Sequence, residues 1–230
     1  MISIFFFGFL MGVRHAFEAD HLAAVASLAT GSRGLRSGLV QGAAWGLGHT
    51  LTLLLVGGTC LVLGQAVPER WASGLEALVG VMLLALGMDV LRRSRRQRVH
   101  VHVHRHDDGT RHLHAHRHEP EVAHDAARHE HPHQSRLTLR ALVVGLVHGL
   151  AGSAALFLLT LQAVPSPGLG LAYIALFGAG SIAGMALLAA VIMVPLRAAS
   201  PVLTRLQGGL EAAVGVATVG IGLKILLEHL

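Results

Sequence analysis

Gly12-Val13-Arg14-His15-Ala16-Phe17-Glu18-Ala19-Asp20-His21-Leu22 is the stretch on which the reading of this chain turns. Five ionisable side chains, Arg14, His15, Glu18, Asp20 and His21, stand inside an apolar run extending from about Ile2 to Ala29. A run of that length can cross a roughly 30 Å hydrocarbon core, which takes about 20 residues of helix. A charge at the centre of such a helix costs about 3 kcal/mol on insertion scales, so a cluster persists only where its members pair, face water or hold an ion. Two imidazoles and two carboxylates make a donor set for a borderline divalent ion. Imidazole suits nickel, cobalt, zinc and copper, whereas carboxylate alone would suit magnesium or calcium.

Helical spacing divides the donors. At about 100° per residue, His15, Glu18 and His21 form one stripe, each step falling back by about 60°. Asp20 lies roughly 140° from His15, off that stripe. Either the helix is locally unwound, which Gly12 makes possible, or Asp20 has another task. One such task is accepting a hydrogen bond from the second nitrogen of a ligating imidazole. The competing reading is an ion pair of Arg14 with Glu18 or Asp20 near the membrane edge.

The surrounding sequence is of the same kind. Hydrophobic residues make up 53% of the 230, and charged residues 13%. That is about half the charge of an ordinary soluble domain and excludes one. Further apolar segments run from about Leu39 to Leu63, Leu75 to Leu91, Ala141 to Ala163, Leu169 to Leu196 and Leu206 to Leu227. Gly31-Ser32, Pro68, Pro165-Ser166-Pro167 and Ser200-Pro201 punctuate them. Abundant Gly and Ala allow helices to approach closely in lipid. The expected fold class is an all-α membrane protein of six transmembrane helices. The N-terminal run lacks a basic leader and a small-residue cleavage site, and is read as a retained helix.

The net charge of +5 resides in loops, which points to membrane topology rather than to a nucleic-acid face. Arg33 and Arg36, the arginine-dense stretch from Arg92 to Arg140, and Arg197 with Arg205 mark loops one, three and five. The positive-inside rule places these loops in the cytoplasm and both termini outside, in a multi-pass protein of the plasma (inner) membrane. The single cysteine, Cys60, permits no intrachain disulfide.

A weak internal repeat is present. Gly74-Leu75-Glu76-Ala77 matches Gly209-Leu210-Glu211-Ala212, Gly46-Leu47-Gly48-His49 aligns with Gly178-Ala179-Gly180-Ser181, and His15 aligns with His148. The offsets are 135, 132 and 133 residues. A three-helix unit repeated in tandem must be inverted in the membrane, an architecture recurrent in transporters, with the site at the repeat interface. The expected units are residues 1–91, a His/Arg-rich loop over 92–140, and residues 141–230. His49 and His148 are further intramembrane candidates for the ion. For each, the competing reading is a hydrogen bond to a neighbouring helix. Glu76 and Glu211 read as helix-start carboxylates, and Asp89, beside Arg92 and Arg93, as an ion-paired edge residue.

Twelve histidines lie between His100 and His133. With few apolar residues, the loop is expected to be disordered. Its neutral imidazoles would capture metal, with His100, His102, His104, His106, His112, His114, His116 and His118 as the candidates. A neutral spacer is the competing reading.

His15-x4-Asp20-His21 resembles the HX4DH signature of the NiCoT/NicO nickel-cobalt transporters, and Glu18 fits the same pattern. Leu47-Gly48-His49-Thr50 resembles that family's second motif, Leu-Gly-His-Ser/Thr in the next helix. Together they cover roughly the first 55 residues of this chain. The classical importers carry eight spans and a Phe-Asp-Thr-Ala-Thr-Glu motif, which has no counterpart here. His148-Gly149-Leu150-Ala151-Gly152-Ser153 is more similar to the short urease-accessory branch. The resemblance implies secondary transport of a divalent nickel or cobalt ion by alternating access, with uptake favoured over efflux. His15, Glu18, Asp20, His21, His49 and His148 would form the site. It implies the ion as cargo with no prosthetic group, and the lipid bilayer and metallochaperones of urease or hydrogenase maturation as partners; nucleic acid is not among them. No enzyme activity is expected: a Walker A sequence and His-Glu-x-x-His are both absent. The alternatives are a membrane-anchored metal chaperone or sensor acting through the loop, and a membrane metalloenzyme.

Overall fold

A computed structural model describes residues 2–30, 34–65, 67–96, 99–105, 111–117, 134–151, 166–197 and 203–230. The helices are α1 (Ile2–His15), α2 (Ala19–Ala29), α3 (Leu35–Leu63), α4 (Glu69–Arg96), α5 (Gln134–Gly149), α6 (Pro167–Arg197) and α7 (Leu203–Glu228). Between α4 and α5 stand two strands, β1 (Val99–Arg105) and β2 (Arg111–Arg117). Four helices, α3, α4, α6 and α7, are long and apolar enough to cross a bilayer, which marks the chain as a membrane protein. The fourth expected span begins as α5; residues 152–165, where it would continue, lie outside the described residues.

The first expected span is not one helix but two. After His15 the chain tightens: the amides of Phe17 and Glu18 donate to Arg14 O and His15 O, three residues back, at 3.0 and 3.1 Å. Glu18 is extended (φ −66°, ψ 153°), and its carbonyl accepts the first bond of α2 from the Leu22 amide at 2.8 Å. The regular stripe through His15, Glu18 and His21 is therefore interrupted. A break inside a span frees backbone groups, which lipid cannot satisfy. Here it coincides with the polar cluster.

Small residues set the helix pairing. Gly8 lies against Tyr173, Gly12 against the backbone of Phe177 and Ser181, and Gly184 against Ala16, so α1 and α6 run parallel. Gly38 meets Met193, Gly46 meets Ile182 and Gly58 meets Leu171, so α3 and α6 run antiparallel. Gly145 packs on Trp45 and Gly149 on His49, making α5 parallel to α3. Gly80 packs on Gly222, and Gly87 on Gly215, in an antiparallel α4–α7 pair. A Cβ at Gly12 would overlap the carbonyl of Phe177, so only glycine allows α1 to sit this close. The main core gathers Trp45, Met185, Leu83 and Leu188. A second cluster of Leu53, Tyr173, Ile174 and Phe177 lies toward the far end of α3.

The histidine-rich loop departs from the expected disorder over part of its length. β1 and β2 pair antiparallel, with His100 opposite His116, His102 opposite His114 and His104 opposite His112. Histidine alternating with Val, Leu and Ala is a period-two pattern, and β-branched valine favours the strand. His106 and His118 lie outside the described residues. Glu76 and Glu211 are not helix-start carboxylates, since α4 begins at Glu69 and α7 at Leu203. Glu76 instead pairs with His229 beyond the end of α7. Asp89 is ion-paired, to Arg93 at 3.4 Å and to Arg140 of α5 at 2.7 Å.

Candidate metal centre

Four elements deliver one imidazole each to a common volume. His15 closes α1, His21 stands in the first turn of α2, His49 lies midway along α3, and His148 lies in the last turn of α5. Their exposures are 5%, 0%, 0% and 2%. His21 is central: its ring centroid lies 4.3 Å from that of His15, 4.3 Å from that of His148 and 5.2 Å from that of His49.

The carboxylates occupy the back of this cluster. Asp20 Oδ1 meets His21 Nδ1 at 3.1 Å, and Oδ2 meets His148 Nε2 at 3.0 Å. Glu18 Oε1 meets His15 Nδ1 at 3.1 Å. Asp20 is 27% exposed and Glu18 56%, so Glu18 stands at the margin and Asp20 within. Arg14 is exposed, and among the described residues neither carboxylate pairs with it.

With one nitrogen of three imidazoles facing an acidic oxygen, the other nitrogens are left over. His15 Nε2, His21 Nε2, His148 Nδ1 and both nitrogens of His49 are buried without a hydrogen-bond partner among the described residues. A buried polar group without a partner costs about 1–3 kcal/mol. Five such atoms on four adjoining rings are a poor way to build a core and a good way to build a ligand set. His15, His21 and His49 each offer a nitrogen within 4.8 Å of the others, and so do Asp20, His21 and His148 with their donor atoms. Donors on one ion with bonds of about 2.0–2.1 Å stand about 3–4 Å apart, so a small inward movement closes either set. A carboxylate behind an imidazole fixes its tautomer and raises its basicity, as carboxylates do behind metal-bound histidines.

The fold thus assembles His15, Asp20, His21, His49 and His148, with Glu18 at the edge. The loop histidines belong to a separate element. Two aromatic walls of the cluster carry no signal in the sequence, where they read as ordinary core. Trp45 stands 5.3 Å from both His21 and His148, and Phe177 stands 5.2 Å from His15, centroid to centroid. The repeat offset of 132 is the one clue that could have found them, since it maps Trp45 onto Phe177.

Long apolar helices around a buried group of imidazoles and a carboxylate define a helical membrane protein with an intramembrane polar centre. No family model matches the chain, and no solved structure matches it. Urease accessory protein UreH of Bacillus sp. (strain TB-90) is 34% identical over 195 residues, which cover 85% of this chain and 78% of that protein. The chain belongs to the UreH family. The relative's name makes it an accessory of urease rather than the catalyst. Two proteins of Arabidopsis thaliana, Chloroplast protein FOR GROWTH AND FERTILITY 1 and 2, are each 25% identical over 96% of this chain. The chain spans 58% and 55% of their lengths.

Proposed function

We propose that this chain is a NiCoT-type secondary transporter that carries a divalent nickel or cobalt ion across a membrane, with the histidine cluster as its transit site. The observation that carries this reading is the convergence of unpartnered imidazole nitrogens, backed by Asp20, at a break in a membrane helix. Nickel is favoured because the relative named above serves urease, a nickel enzyme. Metallochaperones of urease or hydrogenase maturation are the corresponding partners.

In this reading α1 and α2 together form the first of six spans. Their 14 and 11 residues amount to about 37 Å of helix at 1.5 Å per residue, enough to cross about 30 Å of hydrocarbon. Residues 1–91 and 141–230 are two inverted halves, joined by the cytoplasmic loop 92–140, in the plasma (inner) membrane with both termini outside. The helix directions support the inversion: α1 is parallel to α6, α3 antiparallel to α6, and α5 parallel to α3, so α1 and α5 run opposite ways. The ion sheds most of its water, binds the free nitrogens of His15, His21, His49 and His148, and draws charge compensation from Asp20, with Glu18 at the mouth. Because Asp20 of one half holds His148 of the other, rocking of the halves alters the ligand set. The hairpin's register, with His100 opposite His116, His102 opposite His114 and His104 opposite His112, supports a role of this loop in collecting or receiving the ion.

Nickel flux into proteoliposomes, measured for the wild type and for His21→Ala and His49→Ala, tests the reading. Each substitution is expected to lower flux by about 100-fold, the loss of one tight ligand being worth a few kcal/mol. Flux indifferent to both would end it. The hairpin favours a second reading, a membrane-anchored metal chaperone or sensor. Deleting residues 99–133 separates the two, because a transporter retains flux and an anchored chaperone retains no function.

A further inference from the structure

The transport reading leaves open what seals the centre. We propose that Trp45 and Phe177 are its two gates, one toward each membrane face, and that they occupy the same position in the two halves of the chain. This inference rests on the proposed transport of an ion through the histidine cluster.

Three independent features bring the pair together. The first is equivalence. The backbone of Phe177 packs on Gly12 of α1, and the backbone of Trp45 packs on Gly145 of α5. Gly12 and Gly145 are separated by 133 residues, the same interval as His15 and His148. The second is contact. The Phe177 ring stands 5.2 Å from His15, and the Trp45 ring stands 5.3 Å from His148. Each aromatic plate therefore covers the histidine of the opposite repeat unit, and Trp45 also touches the central His21 at 5.3 Å.

The third is direction. Side chains on a helix lean toward its N-terminus, and α3 and α6 are antiparallel. Trp45 leans toward the Leu35 end of the bundle and Phe177 toward the Pro167 end. Gly178 lies against Thr50 and Gly46 against Ile182, which sets Phe177 about six residues, or about 9 Å, along α3 from Trp45. What lies behind each plate agrees. Behind Trp45 is a void of about 10 Å³, room for about one water, lined by Val25, Leu28, Ala29, Gln41 and Ala189. Behind Phe177 lie Leu53, Tyr173 and Ile174. Both plates are closed here, Trp45 fully buried and Phe177 7% exposed.

The Trp45 plate carries a feature of its own. Its indole Nε1 is buried with no acceptor among the described residues, so hydrogen bonding to them does nothing to hold it closed. The void admits no more than about one water, so opening needs the neighbouring helices to part, and water or the Gln41 side chain on its wall would then accept the indole proton as the ion is exposed on that face. The ion passes Trp45 on one face and Phe177 on the other, and transport requires that the two never open together.

The test uses the full chain in right-side-out and inverted membrane vesicles, loaded with radioactive nickel and then exposed to a membrane-impermeant chelator. The wild type is expected to release nickel slowly in both. Trp45→Ala is expected to speed release about tenfold or more in one vesicle polarity only, and Phe177→Ala in the other only. Trp45→Leu and Phe177→Leu keep apolar volume without the aromatic plate, and carry the same directional expectation should an alanine variant fail to fold. Release at the wild-type rate in all variants, or acceleration by both on the same face, overturns the gates while leaving the metal site standing. Absence of bound nickel in the wild type strikes the underlying transport reading instead.

Discussion

Replacing Asp20 by asparagine changes few atoms and disturbs the centre at its pivot. Asp20 accepts from His21 Nδ1 at 3.1 Å and from His148 Nε2 at 3.0 Å. Asparagine keeps one acceptor oxygen and turns an NH2 group toward the other imidazole. One histidine must then present its lone pair backward and its proton toward the ion, the wrong tautomer for a ligand. The negative charge that offsets the cation is also gone. Loss of a carboxylate behind a ligating histidine typically costs 10–100-fold in metal affinity, or about 1.4–2.7 kcal/mol. The metal-free protein should respond in the opposite direction. A carboxylate in a membrane helix is itself costly, by about 3 kcal/mol at the centre on insertion scales. Asp20→Asn should therefore leave the thermal midpoint of the apoprotein unchanged or raised while weakening nickel. Calorimetric titration of nickel into the detergent-solubilised chain, paired with a melting curve, measures both. Glu18→Gln is the internal contrast: at 56% exposure and with one imidazole partner, it should shift affinity by no more than about threefold. Equal affinity of Asp20→Asn and wild type, or a collapse of both Asp20→Asn and Glu18→Gln to the same level, refutes the assignment of Asp20 as the pivot.

Further expectations bear on other parts of the molecule. Exchanging His102 and Val103 (His102→Val with Val103→His) preserves composition but removes one histidine from its register position opposite His114. In a His21→Ala background, nickel bound by the loop should weaken measurably in equilibrium dialysis, and an unchanged isotherm would mean that histidine number alone matters. Gly12→Ala would drive a Cβ into the Phe177 carbonyl; at about 1–3 kcal/mol for overpacking, the melting midpoint should fall by several degrees. An unaltered midpoint would show that α1 and α6 part easily. Ser27 Oγ and Thr218 Oγ1 meet at 3.0 Å between α2 and α7. Thr218 Oγ1 also donates to Val214 O at 2.7 Å, so Ser27→Ala should cost under about 1 kcal/mol and Thr218→Val, which leaves Ser27 Oγ without this acceptor, about 1 kcal/mol, with the double variant less than their sum. Strict additivity in denaturation of the three variants would show that the contact carries no coupling.

What the sequence determined by itself is what depends on local composition and period. A run of apolar residues reports its own transfer energy, so the membrane class needed no partner to be read. The cost of charge in such a run likewise singled out His15, Asp20 and His21, and His49 as the lone titratable group of its span. His148 was reachable as a titratable group in an apolar segment and through the 133-residue offset to His15. The tertiary structure decided the rest. One helical stripe through His15, Glu18 and His21 did not survive. The chain breaks at Glu18, and whether it breaks depends on neighbours that can accept the exposed backbone and side chains. Asp20 could be seen to lie off the stripe; its second partner, 128 residues away, could not. The three cross-strand histidine pairs were hidden for a different reason: alternation states a period, but only pairing states which residues stand opposite. Trp45 and Phe177 remained core residues until helix directions were known, since a large aromatic in lipid costs nothing and so leaves no mark. Local energies are written residue by residue along the chain, but the direction in which a nitrogen points is fixed by helices that meet only after folding.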